Sequence, residues 1–330
     1  MSANRAAVLV TGGAGYVGSH VCKALAAAGF LPVTYDNLSR GHAWAVKWGP
    51  LEQGDLRDGA RLAQVLRQYR PVAVAHLAGY ILVGESVEQP ELYWDNNVAA
   101  TEVLLEAMRE AGIGRLVFSS SCSLYGHPAV QPIDEGQPAD PLSPYAATKL
   151  AAEHLLREAA DQWGLAWVAL RYFNAAGADP ALEIGEAHQP ESHLIPLILA
   201  VAAGRSPAIN IFGEDYPTAD GTCVRDYVHV VDIGAAHLLA LDHLAAGGEN
   251  GAFNLGSSHG YSVREVIAIV ERVTGRAIPV AKAGRRPGDP PVLVGDCRRA
   301  AAILGWVPRF VSLEETITHA WGWYRKAEGI

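Results

Sequence analysis

Cysteine is scarce in this 330-residue chain: Cys22, Cys122, Cys223 and Cys297 stand far apart with no CxxC pair among them. That excludes a disulfide framework or zinc ribbon and fits reduced thiols in a cytoplasm. Positive charge is also short. With 26 Lys and Arg against 35 Asp and Glu, the net charge is −9, so the basic footprint of a nucleic-acid binder is missing and any bound phosphate must be met by local groups. No apolar run approaches the roughly 18 residues of a membrane span. The longest candidate, Leu194 to Gly204, is interrupted by Pro196. Ahead of Thr11 only five apolar residues, Ala6 to Val10, follow Arg5, too few for a signal-peptide core. These absences predict a cytoplasmic protein with no membrane or nucleic-acid partner. Internal repeats and runs of like charge are missing too, which removes solenoids and charged tails.

Half the residues are hydrophobic and 18% are charged, the balance of a chain that folds. Short apolar runs at Ala7 to Thr11, Val33 to Asp36, Val72 to His76, Leu116 to Ser120 and Val168 to Tyr172 read as strands. Between them, segments of helical period run from Ser19 to Ala28, Asp58 to Tyr69, Trp94 to Ala111 and Pro144 to Trp163, with Gly29 and Gly164 as stops. This alternation predicts an α/β fold with a doubly wound, Rossmann-type parallel sheet over residues 1–176. A smaller α/β domain for substrate is expected over residues 177–330. Val228 to Val231 followed by the periodic run to Leu241 reads as one more βα unit, so 228–241 is expected to cross back onto the first domain.

The stretch from Val8 to Gly18 runs from a strand through Gly12, Gly13 and Gly15 into a helix. Glycines let the backbone approach a pyrophosphate and aim the positive end of the next helix at it. Asp36, at the end of the second predicted strand, is placed to accept hydrogen bonds from ribose hydroxyls and would repel a 2′-phosphate, which favours NAD over NADP despite nearby Arg40. In Ser143-Pro144-Tyr145-Ala146-Ala147-Thr148-Lys149 the i, i+4 spacing sets Tyr145 and Lys149 on one helical face. A phenol titrating near pH 10 is a poor base at neutral pH. Lys149 and a nicotinium ring are expected to stabilise its phenolate, so that Tyr145 takes a hydroxyl proton while hydride leaves the same carbon. Ser121, in Phe118-Ser119-Ser120-Ser121, would hydrogen-bond the reacting oxygen, with Ser123 beside it.

Together these blocks resemble the extended short-chain dehydrogenase/reductases, and among them the UDP-glucose (UDP-galactose) 4-epimerase branch. The likeness covers nearly the whole chain and extends to Asp36 to Gly41, Asp95-Asn96-Asn97, Arg171-Tyr172-Phe173-Asn174, Asp215 to Thr218, Gly221 to Tyr227 and Arg285 to Asp289. The resemblance implies a tightly bound NAD held by Gly12, Gly15, Tyr16, Val17 and Gly18 at the pyrophosphate and by Asp36, Asn37 and Ser39 at the adenosine ribose. Asp55 and Leu56 would flank adenine. Leu77, Ala78, Gly79, Asn96 and Phe173 would complete the cofactor contacts with Tyr145 and Lys149. On the substrate side it implies Ser121, Ser123, Tyr145, Asn174, His193, Leu194, Asn210, Phe212, Arg225, Arg286, Asp289 and Leu293 around a UDP-sugar. It also implies a homodimer, with 94–111 and 144–163 as the pairing helices.

The implied reaction removes hydride and a proton at C4, lets the 4-keto sugar turn, and returns hydride to the other face, with no net oxidation. Three positions depart from the branch's pattern. Ile81 replaces a lysine, His193 an asparagine beside the diphosphate, and Leu293 a tyrosine that narrows the sugar pocket, so a UDP-N-acetylhexosamine is a possible substrate. Hexose and pentose are not separated at this level. A 4,6-dehydratase would need carboxylates where Cys122 and Ser123 stand, and a silent NAD sensor would not need the Ser121, Tyr145 and Lys149 set. No metal is expected, because His188 and His193 have no third ligand visible near them in the sequence.

Overall fold

The computed structural model describes residues 5–286 and 288–330; Pro287, inside the expected Arg285 to Asp289 loop, lies outside the described residues. The strands are β1 Ala7–Thr11, β2 Leu31–Asp36, β3 Leu51–Gln53, β4 Ala73–His76, β5 Arg115–Ser121, β6 Ala166–Tyr172, β7 Asn174–Ala176, β8 Ile209–Phe212, β9 Val224–His229, β10 Gly251–Leu255, β11 Gly260–Ser262, β12 Val280–Ala283 and β13 Val292–Leu293. The helices are α1 Tyr16–Ala27, α2 Gly59–Tyr69, α3 Val83–Glu88, α4 Pro90–Trp94, α5 Ala100–Ala111, α6 Pro144–Trp163, α7 Leu194–Ala202, α8 Val230–Ala245, α9 Val263–Thr274 and α10 Leu313–Glu328.

Seven strands form one sheet in the order β3-β2-β1-β4-β5-β6-β10, and every pairing in it is parallel. This is the doubly wound arrangement, with the order reversing between β1 and β4. Strands buried on both faces should be continuously apolar, and Ala7, Val8, Leu9 and Val10 of β1 are all buried. One face packs α2, α5 and α6 around Leu62, Leu104, Met108 and Leu156. The other packs α1 and α8 around Val21, Leu25, Ile233 and Leu241.

The second half of the chain contributes α8 and the seventh strand, β10, to this sheet. The strand expected to accompany α8 goes elsewhere. β9 joins a smaller sheet with β7, β11 and β13, while β8 pairs with β12. The short edge strand β3 and the helices α3 and α4 have too few residues to show a period, and the sequence does not predict them. Around the smaller sheets α7, α9 and α10 bury Ile198, Leu199, Val266, Val270 and Ile317. Among the described residues no helix is long and apolar enough to cross a membrane.

Candidate active site

A single cavity of about 1160 Å³ runs along the carboxyl ends of β1, β2, β4 and β5 and on between the main sheet and the smaller one. Ligands on doubly wound sheets bind at this end, where the strand order reverses. Every residue singled out from the sequence as a cofactor or substrate contact lies on its wall.

At one end the turn from β1 into α1 forms a cradle. Gly12 has φ +71°, and a side chain there would lie 2.6 Å from the backbone nitrogen of Ala78. A Cβ on Gly18 would come 2.1 Å from the Gly12 carbonyl oxygen. The sequence therefore permits two backbone approaches that any larger residue would prevent. Asp36 closes the far side of the cradle. Its carboxylate accepts hydrogen bonds from the amides of Ala14 at 3.1 Å and Leu38 at 2.8 Å. Burial raises its pKa, and these two amides oppose that shift. Arg40 turns away from Asp36: it pairs with Glu85 at 2.6 Å and stacks on the Tyr80 ring at 5.4 Å. The Asp36 carboxylate therefore faces the cradle, while the Arg40 guanidinium on the same cavity wall is engaged by Glu85.

Asp55 is clasped by Arg57 through Nε and Nη2, both at 2.8 Å, and by Asn37 at 3.0 Å. These partners hold its carboxyl well below the usual range. Asn96 donates to Asn97, whose side chain also takes the Tyr80 amide at 2.8 Å and donates to Thr148 at 3.1 Å. Asn97 thereby ties the β4 loop to α6, a role the sequence does not suggest.

The chemistry-bearing helix, α6, begins with Ser143 as its cap. The Ser143 hydroxyl accepts from the Ala146 amide at 3.2 Å, and Pro144 occupies the first turn. Tyr145 therefore sits at the mouth of the helix and Lys149 one turn deeper. The Lys149 ammonium donates to the Ser119 carbonyl at 2.9 Å and lies 5.9 Å from the centre of the Tyr145 ring. Burial lowers the Lys149 pKa to about 8. The Tyr145 phenol is pushed up by burial, with the Ser121 side chain as the one opposing influence. Lys149 and a nicotinium ring are expected to stabilise the phenolate together; within the chain itself burial outweighs Ser121 and the phenol stays high.

Ser123 presents a buried hydroxyl oxygen with no hydrogen-bond partner among the described residues. Cys122 is buried and its thiol pKa is raised to about 12. This neutral pair offers no acid and base for elimination.

At the other end Arg225 of β9 lies opposite Leu293 of β13. Its guanidinium donates to the carbonyls of Val224 at 2.9 Å and Pro290 at 2.8 Å and reaches Asp289 at 3.4 Å. Its acidic partner is therefore Asp289. Asp226, its neighbour in the chain, points inward and accepts from Ser257, Ser258 and Gly295. Arg286 lies over the Phe212 ring at 3.9 Å. Asn174 donates to the Asp226 carbonyl at 2.9 Å, which fixes its amide at the cavity wall. Leu293 is buried with Phe173 and Cys122, Asn210 stands exposed at the rim, and Ile81 is exposed as well.

His193 and Leu194 lie where the loop after β7 enters α7. The expectation that His188 and His193 lack further ligands is corrected by the fold. Glu186 receives both imidazoles on one carboxylate oxygen, His188 at 3.0 Å and His193 closer still, and Glu191 lies 3.9 Å from His188. The two carboxylates raise the His188 pKa to about 9, and the imidazoles lower that of Glu186 to about 2.

A glycine cradle flanked by a buried carboxylate, opening onto a Tyr/Lys pair on one helix, fits a nicotinamide-dependent enzyme of the α/β class. Residues 8–256 match the family described as NAD dependent epimerase/dehydratase, and the chain belongs to that family. It is 49% identical over 321 residues to a UDP-glucose 4-epimerase of Rhizobium leguminosarum bv. trifolii, covering 97% of this chain and 98% of the relative. The crystal structure of UDP-glucose 4-epimerase from Brucella ovis in complex with NAD superposes with a TM-score of 0.94 at 50% identity, covering 97% of this chain and 98% of that one. A UDP-glucose-4-epimerase from Stenotrophomonas maltophila, with bound NAD and formylated UDP-arabinopyranose, gives 0.95 at 40% identity, covering 98% and 99%.

Proposed function

We propose that this chain interconverts UDP-galactose and UDP-glucose by inversion at C4, with NAD retained throughout. The observation that carries this reading is the position of Tyr145, Ser121 and Lys149 between the glycine cradle and the Arg225/Arg286 end of one continuous cavity. NAD, held by the glycine cradle and Asp36, would supply the hydride acceptor and donor for C4 of the sugar. Tyr145 takes the 4-hydroxyl proton, and Ser121 holds the oxygen as it becomes a carbonyl. Lys149 holds the nicotinamide ribose and adds positive charge near the phenol. Arg225 and Arg286 grip the diphosphate through paired donors, with His193 beside them, while Asn174, Phe212 and Asp289 seat the nucleotide. Firm hold on UDP with loose hold on the sugar lets the 4-keto group present its second face.

The roles of the remaining wall residues follow the same division. Gly12, Gly15, Tyr16, Val17 and Gly18 take the cofactor pyrophosphate, and Asp36, Asn37, Ser39, Asp55 and Leu56 its adenosine. Leu293 favours a second activity: an apolar side chain of moderate size on the sugar wall leaves room for an N-acetyl group, so UDP-N-acetylglucosamine is proposed as an additional substrate. We further assign the protein to the cytoplasm as a homodimer joined through α5 and α6. Trp94, half exposed beside these helices, supports that face.

The test is to incubate purified protein with UDP-galactose and no added nicotinamide and to follow UDP-glucose by NMR. Turnover is expected, and Tyr145→Phe should lower kcat by roughly 10²–10⁴-fold. Unchanged turnover in Tyr145→Phe would refute the mechanism. A sugar panel including UDP-xylose and UDP-N-acetylglucosamine sets the range, and light scattering reads the oligomer.

A further inference from the structure

We propose that Glu186, His188, Glu191 and His193 bind one first-row divalent metal ion of the zinc class on the loop between β7 and α7. This goes beyond the epimerase reading and does not depend on it. Two imidazole nitrogens and two carboxylate oxygens, all from one stretch of eight residues, lie within 4.8 Å of one another. Donors in a tetrahedral zinc set, each about 2.0–2.1 Å from the metal, are separated by roughly 3.3 Å. His188 Nδ1 stands 3.0 Å from Glu186 Oε1 and 3.9 Å from Glu191 Oε1, on either side of that value, while His193 Nδ1 hydrogen-bonds Glu186 Oε1 directly and has to draw back from it to admit an ion. The two rings meet edge to face, with centroids 5.1 Å apart and planes at 83°. That lets both Nδ1 atoms converge on one centre without the rings colliding.

The donor set selects the ion. Two imidazoles with two carboxylates suit Zn²⁺, Co²⁺ or Ni²⁺, whereas Mg²⁺ and Ca²⁺ favour oxygen alone. Two carboxylates also balance a divalent charge. Among the described residues neither Glu186 nor Glu191 pairs with a lysine or arginine, although the Glu186 side chain is only 8% exposed. Buried charges are paired or coordinate metals, and here the Glu186 carboxylate is met by two imidazoles, both of them metal-ligating groups.

The loop is already braced for such a site. The Glu186 carbonyl accepts from Trp323 at 2.9 Å, and the Ala187 carbonyl from His42 at 2.7 Å. Glu191 Oε1 is positioned by the amides of Ser192 at 2.7 Å and His193 at 2.8 Å. His193 remains 40% exposed on its cavity side, which leaves a route for the ion. Bound there, the metal would staple the loop that walls the cavity near Tyr16, whose ring lies 6.0 Å from that of His188. It would use Nδ1 of His193 and leave Nε2 free to face the cavity.

The experiment uses the full chain with its NAD. Protein stripped with EDTA and desalted is titrated with Zn²⁺ and separately with Co²⁺, passed through gel filtration, and assayed by elemental mass spectrometry and visible absorption. The expected result is one retained metal per chain, four-coordinate Co²⁺ bands, and a higher melting temperature with Zn²⁺. His188→Gln and Glu186→Gln should lose all three. Glu191→Gln, at a more exposed ligand, serves as the second variant if either of those fails to fold by circular dichroism. No retained metal in the unaltered chain, or full retention in folded ligand variants, would overturn the proposal. Because metal content is read without turnover, failure of the epimerase assay is a separate result.

Discussion

Arg171 on β6 closes a two-pronged ion pair on Glu153 of α6, with Nε 2.9 Å from Oε1 and Nη2 2.6 Å from Oε2. Glu153 is fully buried and also accepts the Ser120 hydroxyl at 2.7 Å, while Arg171 donates to Tyr125 at 2.9 Å. Because Tyr145, Lys149 and Glu153 recur every four residues, they share one face of α6. The ion pair therefore pins to the sheet the same face that carries the phenol and the ammonium.

Breaking this pair from one side leaves an uncompensated buried charge, which typically costs about 3–5 kcal/mol. Glu153→Gln should accordingly lower the stability measured by urea unfolding by an amount of that order, and kcat should fall with it. A double replacement, Glu153→Leu with Arg171→Met, should recover much of the loss. Equal losses in the single and double variants would argue against an isolated-charge penalty.

Gly18 faces the carbonyl of Gly12 so closely that Gly18→Ala must open the cradle. NAD content of the purified variant, released by acid and quantified by chromatography, should drop to a small fraction of that of the unaltered chain. Gly114→Ala is the control, because a side chain there meets nothing within 4 Å, and it should keep its NAD.

Arg286 rests on Phe212 and makes no ion pair among the described residues, so its removal disturbs few internal contacts. Arg286→Ala should raise KM for UDP-galactose and the inhibition constant of free UDP together, by roughly 10–100-fold, as expected for hydrogen bonds to a charged group. The effect on kcat should be small. Lysine at this position should restore only part of the affinity, since it lacks the paired donors.

Asp226 has no exposed surface, and burial raises its pKa from 3.8 to about 6 despite the amides of Ser257, Ser258 and Gly295. The folded chain therefore binds more protons than the unfolded chain between these two values, so this group's contribution to stability falls as pH rises through the window. The stability of the unaltered chain minus that of Asp226→Asn should decline by on the order of 1–3 kcal/mol between pH 4 and pH 7. Urea midpoints at four pH values measure it, and a flat difference would contradict the assignment.

Elements with a strong local signal are legible in the amino-acid sequence alone. The α6 helix runs from Pro144 to Trp163, as its helical period and its stop at Gly164 predict. The glycine turn and Asp36 are legible because strand, turn and helix chemistry coincide within a few residues. Short elements such as β3 and α3 are not, since three to six residues carry no period. The run into α8 shows a strand and a helix correctly, but local pattern cannot say which sheet a strand joins, and β9 pairs in the smaller one.

The parallel α/β frame, the glycine cradle and the Tyr145/Lys149 face are all written in local sequence, because each depends on residues close together in the chain. It takes the folded chain to bring Arg171 to Glu153, to set Arg225 against Asp289 instead of Asp226, and to gather two glutamates around His188 and His193. Those partners are set by strand order and by the irregular path of loops, and hydrophobic periodicity carries no information about either.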